Sequence, residues 1–251
     1  MAKVIGNIKI KGTLDDLVFY EGQDGENLLR TKGKSSLSSA EFYSNPIYQR
    51  IRDHGKEFGQ AAKLSRTFRA LVHAFNEKAK DQSYPGRVNQ LLLEIIKEDL
   101  VHPVGQRTLA QGIQEEEVAS YLLGFEGNKL RPLDKVLLAP WQWNVAACQV
   151  EVPEFDPLVH IDWPANASHV ELCAGRTNWD FESTHFVTHY SETFTFEKIS
   201  EVVDLQLAVA EPEASGLSFL YFYIGFSEKQ RKKMKPLKRI HNTVSLCKVY
   251  E

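Results

Sequence analysis

The chain of 251 residues carries 43% hydrophobic and 25% charged side chains and a net charge of −3, the profile of a globular protein long enough to bury a core. Its longest apolar runs, LSFLYFYIGF at 217–226 and KVLLAPW at 135–141, fall far short of the roughly 20 residues a membrane span needs. No export signal is visible at the N-terminus and Cys148, Cys173 and Cys247 show no CxxC spacing, so a cytoplasmic protein with free thiols is expected, without a disulfide framework or zinc site.

The first segment, IKIKGTLDDLVFYEGQDGENLLRTKG at 8–33, alternates Ile8 and Ile10 with Lys9 and Lys11 and ends that run at Gly12. LVFYEG at 17–22 and ENLLRTK at 26–32 then read as a hairpin around the Asp24-Gly25 turn, because glycine tolerates positive φ. A Ser-rich run, GKSSLSSAEFYSN, has little to fold around and reads as a tether. Residues 1–43 are therefore expected to form a β arm on a flexible connector.

Asn45-Pro46 is a helix start, a capping side chain followed by proline at the first helical position. Ile47, Ile51, Phe58 and Ala62 fall within about 60° of one another at helical spacing, and past Lys63 the apolar face moves to Leu64, Phe68, Leu71, Val72 and Phe75. That change predicts a bend or a second helix at 64–66. Gly55 and Gly59 weaken the first helix and suggest close packing against another backbone. SYPG at 83–86 reads as a turn, RVNQLLLEIIKEDLV at 87–101 as an amphipathic helix, and QEEEVASYLLGF as a short one. Residues 44–134 make a helical module.

From Lys135 the texture is β. KVLLAPWQWNVAACQVEV, PLVHIDW, SHVELCAGRTNWDFEST, HFVTHYSETFTF, VVDLQLAVAE, LSFLYFYIGF and NTVSLCKVY follow at roughly 10–18-residue spacing, which predicts an antiparallel, immunoglobulin-like β-sandwich over 135–251. The expected fold class is α+β: β-hairpin arm, helical module, C-terminal sandwich.

Catalytic chemistry leaves little trace. GxSxG, HExxH, GxGxxG and P-loop patterns are absent. His185 and His189 in HFVTH sit among strand formers, where positions i and i+4 lie about 13 Å apart. HIDW at 160–163 is read as a strand with polar residues outward. No cofactor, metal or small-molecule substrate is expected, and an enzyme of unrecognised class is the third-ranked reading.

Charge is distributed unevenly: residues 1–43 are neutral, 44–112 carry +4, 113–220 carry −13 and 221–251 carry +6. Two basic clusters stand out, Arg50, Arg52, Lys56, Lys63, Arg66 and Arg69 on the first helix, and KQRKKMKPLKR at 229–239, with Arg231, Lys232, Lys233 and Lys235 at the tip of a hairpin. Such segments suit either the acidic segment of a neighbouring copy or a phosphate backbone. The leading expectation is a self-associating structural subunit of a particle, tube or filament, joined through Ile8, Ile10, Phe19, Tyr20 and Leu28 of the arm and through the basic residues. The alternative is a nucleic-acid-binding protein using the two basic clusters.

NIKIKGTLDDLVFY…DGENLLRTKG, NPIYQRIRDHGKEFGQAAKLSRTFR and GQRTLAQG together make the chain resemble a family of uncharacterised bacterial proteins. Its members are similar in having a GNIKIKGT-type β N-terminus, a basic helical middle (NPxYQRxRxxxxEFGxAAK) and a β-rich C-terminal half. The likeness is strongest over residues 6–112. It implies that the arm and the EFGQAAK helix are family features, and it brings no catalytic residue. KGKSSLSS departs from the more glycine-rich junction the resemblance leads one to expect.

Overall fold

Short strands joined at residues that accept positive φ begin the chain. The computed structural model describes residues 2–3, 10–22, 25–33, 37–115, 118–231 and 233–250, in two compact units, 1–50 and 51–251. In the first, β1 (Ala2–Lys3), β2 (Gly12–Leu14), β3 (Leu17–Glu21) and β4 (Asn27–Thr31) form an antiparallel sheet of order β1-β4-β3-β2. Asp15 (φ 49°) turns β2 into β3, and Gly25 (φ 75°) lies in the loop closed by the Gly22 N–H on the Glu26 carbonyl at 2.8 Å.

The serine-rich connector contains a helix, a correction to its reading as a bare tether. In α1 (Ser39–Ser44) the Ser38 hydroxyl accepts the Glu41 N–H at 3.1 Å, and Glu41 favours the positive end of the helix dipole. Asn45 and Pro46 act as expected: Asn45 Oδ1 accepts the Ile47 N–H at 3.0 Å, and a 3₁₀ turn, Pro46–Tyr48, leads into α2 (Gln49–Leu71).

No break occurs at 64–66. The helix runs unbroken over 23 residues and ends at Val72, whose φ/ψ of −124°/52° separates it from α3 (His73–Ala79). The apolar face changes because the helix changes surroundings. Ile51 and Phe58 stay exposed, whereas Ala61, Leu64, Phe68 and Leu71 enter the core. Nor is Tyr84-Pro85 a turn; it starts α4 (Tyr84–Lys97), with proline in the first turn where its missing N–H costs nothing. After α5 (Leu109–Gly112), residues Val118–Leu122 of QEEEVASYLLGF form a 3₁₀ helix.

Next come β5 (Phe125–Glu126), α6 (Leu133–Val136), β6 (Gln142–Asn144) and β7 (Gln149–Phe155). The stretch expected as strand PLVHIDW is instead α7 (Pro157–His160). Asp156 Oδ1 accepts the Leu158 N–H at 2.9 Å and Pro157 occupies the first turn, so the cap outweighs the β-branched residues. The chain then supplies β8 (His169–Trp179), β9 (Phe186–Tyr190), β10 (Phe194–Glu197), β11 (Val203–Ala208), β12 (Leu217–Gln230), β13 (Lys233–Pro236) and β14 (Thr243–Tyr250).

Both sheets of the second unit are antiparallel. The larger has the order β10-β8-β12-β14-β5, with β9 also on β8 and β13 on β12; the smaller is β11-β7-β6. Phe219, Tyr221 and Tyr223 of β12 face a core shared with Phe68, Leu71, Phe75, Val88, Leu92 and Ile95 of the helices. Leu220, Phe222, Ile224 and Phe226 face a second core with Val150, Val152, Leu205 and Leu207 of the smaller sheet. The large sheet is thus covered on both faces, by helices on one and by a sheet on the other. That is why FLYFYIGF is apolar without alternation. Thr188 Oγ1 donates to the Leu71 carbonyl at 2.6 Å and Asn242 Nδ2 to the Lys78 carbonyl at 2.9 Å, fastening the helices to their own chain's strands.

Candidate interaction surfaces

Strands β2, β3 and β4 bury no side chain among the described residues. Cross-strand register puts Leu14, Leu17, Phe19 and Leu29 on one face, and Val18, Tyr20 and Leu28 on the other beside Arg30. Arg30 lies over the Tyr20 ring at 5.7 Å. Over residues 10–22, 25–33 and 37–50 every side chain is exposed or half-buried; Leu14 is 64% and Ile10 47% exposed. Ile10 precedes β2 rather than lying in a strand, and Ile8 falls outside the described residues, as does Asp24 of the expected turn. Phe19, Tyr20 and Leu28 are half-buried members of β3 and β4, whose backbone groups pair with each other.

The basic residues of α2 line its solvent side. Arg50, Lys56, Lys63 and Arg66 are exposed, while Arg52 and Arg69 are half-buried. Lys56 Nζ donates to Asp53 Oδ1 at 2.9 Å, and Arg69 Nε to the Ser65 carbonyl at 3.0 Å. The second basic cluster is a two-stranded ribbon. Glu228 pairs with Lys235, Lys229 with Met234 and Gln230 with Lys233, with Arg231 (φ 55°) in the turn. Lys233 and Lys235 are exposed, as is Arg231; Lys232 lies outside the described residues.

Arg66 and Arg69 of the first cluster and Arg239, at the end of the second, line neighbouring clefts where α3 packs beside the 3₁₀ turn Arg239–His241 that follows β13. A cleft of about 260 Å³ is lined by Arg66, Arg69, His73, Glu77, Lys80 and Tyr84. Beside it, a cleft of about 560 Å³ is lined by Lys80, Lys129, Arg239, Pro85, Leu130 and Ile240. Lys80 belongs to both. Glu77 bonds Lys80 at 2.5 Å, and this bond, then His73 and Arg239, holds its carboxyl below the ordinary range. Burial opposes the Asp81 anion, yet the Lys129 N–H, Ser83 and Arg87 keep that carboxyl below its ordinary value; Arg87 Nη2 donates to Asp81 Oδ2 at 2.8 Å. His73, Lys80 and Lys129 were invisible as site residues in the sequence, since only tertiary contact brings them to Arg66 and Arg239.

Other polar clusters are fastenings. Asp99 accepts N–H groups from Val101, His102 and Thr108, and its Oδ2 meets His102 Nδ1 at 2.7 Å. His189 lies in β9 with His185 just before it, and no group of three His, Cys, Asp or Glu suited to a metal occurs among the described residues. The three cysteines are unbridged. No helix among the described residues is long and apolar enough to cross a membrane. No family model matches the chain, and nothing matches it among curated proteins or solved structures.

Proposed function

We propose that the protein is a self-associating structural subunit of a larger assembly, with its N-terminal sheet as the joining element. One observation carries the reading: the three short strands β2, β3 and β4 present apolar side chains on both faces and none of these is buried. A sheet so small is marginal in water unless something covers a face, and paired apolar faces of this kind mark contact surfaces. Among the described residues strand β2 is an edge of the sheet at Gly12–Leu14, where strand addition from a neighbour supplies further backbone hydrogen bonds. The two face-to-face sheets of residues 51–251 serve as a rigid body, a sandwich of immunoglobulin-like size bearing helices on its larger sheet. A contact between an arm on one copy and a body on the next is head-to-tail, and such contacts build rings or helical polymers.

Removing residues 1–33 tests the reading. The shortened chain is expected to keep its near-ultraviolet circular dichroism and to sediment as a monomer. A shortened chain that still forms the same assembly contradicts the role given to the sheet.

A further inference from the structure

We propose that the paired clefts around Lys80 bind a single strand of nucleic acid, phosphates in the smaller cleft and a base against the floor of the larger. This is a function distinct from self-association. Arg66, Arg69 and Lys80 set three positive charges around the smaller cleft, joined by His73, against the single carboxylate of Glu77. Arginine side chains present forked donors that fit phosphate oxygens two at a time. The volume, about 260 Å³, is that of a small group rather than a folded segment. Lys129 and Arg239 extend the positive track through the second cleft, where Asp81 is already matched by Arg87.

The floor of the larger cleft distinguishes nucleic acid from other polyanions. Leu130 and Ile240 are 64% and 50% exposed between the cations. Exposed apolar side chains flanked by positive charge match a nucleotide, whose base is apolar on its face and whose phosphate is charged. A chain of carboxylates alone, such as polyglutamate, offers nothing comparable for Leu130 and Ile240. In a duplex the base faces are stacked inside, so the match is to a single strand. Two clefts sharing one lysine match a ligand with anionic groups at regular intervals better than an isolated phosphate. The ribbon bearing the exposed Arg231, Lys233 and Lys235 is joined in sequence to Arg239 through β13. Binding must displace Glu77 from Lys80, which is 30% exposed and able to swing.

The test is fluorescence anisotropy of a labelled 20-nucleotide oligothymidylate with the full chain at 50 and 200 mM salt. With about four phosphates neutralised, affinity is expected to fall about 50-fold between the two salt concentrations. The Arg66→Ala/Arg69→Ala chain should melt like the parent and show a salt dependence cut to about 7-fold, two contacts fewer. Lys80→Gln/Lys129→Gln, which touches no buried group, should act in the same direction. A duplex of equal length should compete poorly. Absence of binding at 50 mM salt overturns the proposal. So does equal competition by polyglutamate of matched charge, which would assign the track to an acidic protein segment. Variants that bind like the parent would also overturn it.

Discussion

Glu57 and Arg107, fifty residues apart, form a two-pronged ion pair: Arg107 Nε donates to Oε1 and Nη2 to Oε2, both at 2.7 Å. The Glu57 side chain is 1% exposed, and Oε1 also accepts the Gly105 N–H at 2.8 Å. The pair ties the 99–108 loop to α2. Arg107→Ala leaves a buried carboxylate without its cation and should cost about 3–5 kcal/mol in urea denaturation. The Arg107 contact, followed by the Gly105 N–H, keeps the Glu57 carboxyl below its ordinary 4.5. Its stabilisation is therefore complete above that value and is lost as pH falls through the lower folded one. An Arg107→Ala chain as stable as the parent at pH 7 would remove this account of the loop.

Glu126 has the opposite sign. Burial pushes its carboxyl up to about 7, against the Leu133 N–H and the Ser245 hydroxyl, which both bind Oε1. Oε2 is buried with no hydrogen-bond partner. The fold favours the protonated form, so this contribution is most favourable below the ordinary 4.5 and declines as pH rises through about 7, by on the order of 3 kcal/mol. Glu126→Gln should flatten the dependence of thermal midpoint on pH between 5 and 8 and raise the midpoint at pH 8. A parent and variant with parallel profiles would show that Glu126 stays ionised.

Two glycines separate packing from propensity. A Cβ on Gly112 would stand 2.0 Å from the Ile95 carbonyl oxygen, so Gly112→Ala must push α5 off the end of α4 and should cost about 1–3 kcal/mol. Around Gly55, inside α2, a Cβ meets nothing within 4 Å. Gly55→Ala should stabilise the chain by about 1 kcal/mol. Thermal denaturation of the two variants, shifting in opposite directions, checks both, and a destabilising Gly55→Ala would mean that this helix face is covered.

The expected packing of Gly55 and Gly59 against another backbone came from their four-residue spacing, yet both face open space. Local signals were legible in the sequence wherever local chemistry decides the outcome. Asn45-Pro46 starts a helix because cap and ring act within one turn, and Phe219–Phe226 is apolar throughout because both faces are buried. Where two local signals compete, as at Asp156-Pro157 against Val159 and Ile161, the composition read as strand and the cap prevailed. The shift of apolar face near Leu64 was legible, but its meaning was not: it records where α2 meets the core. The sharing of Lys80 between a cleft with Arg66 and Arg69 and a cleft with Lys129 and Arg239 leaves no mark in sequence, because it depends on α3 packing beside the turn after β13.

Self-association through the N-terminal sheet is tested most directly by the mass of the full chain in light scattering, beside Leu14→Asp/Phe19→Asp. Leu14 and Phe19 lie on one face of that sheet, and the substitutions place two carboxylates where a neighbour must seat. The parent should show a multiple of 28.6 kDa that grows with concentration, and the variant 28.6 kDa throughout. A parent that remains at 28.6 kDa at every concentration, or a variant that assembles as the parent does, would contradict the account.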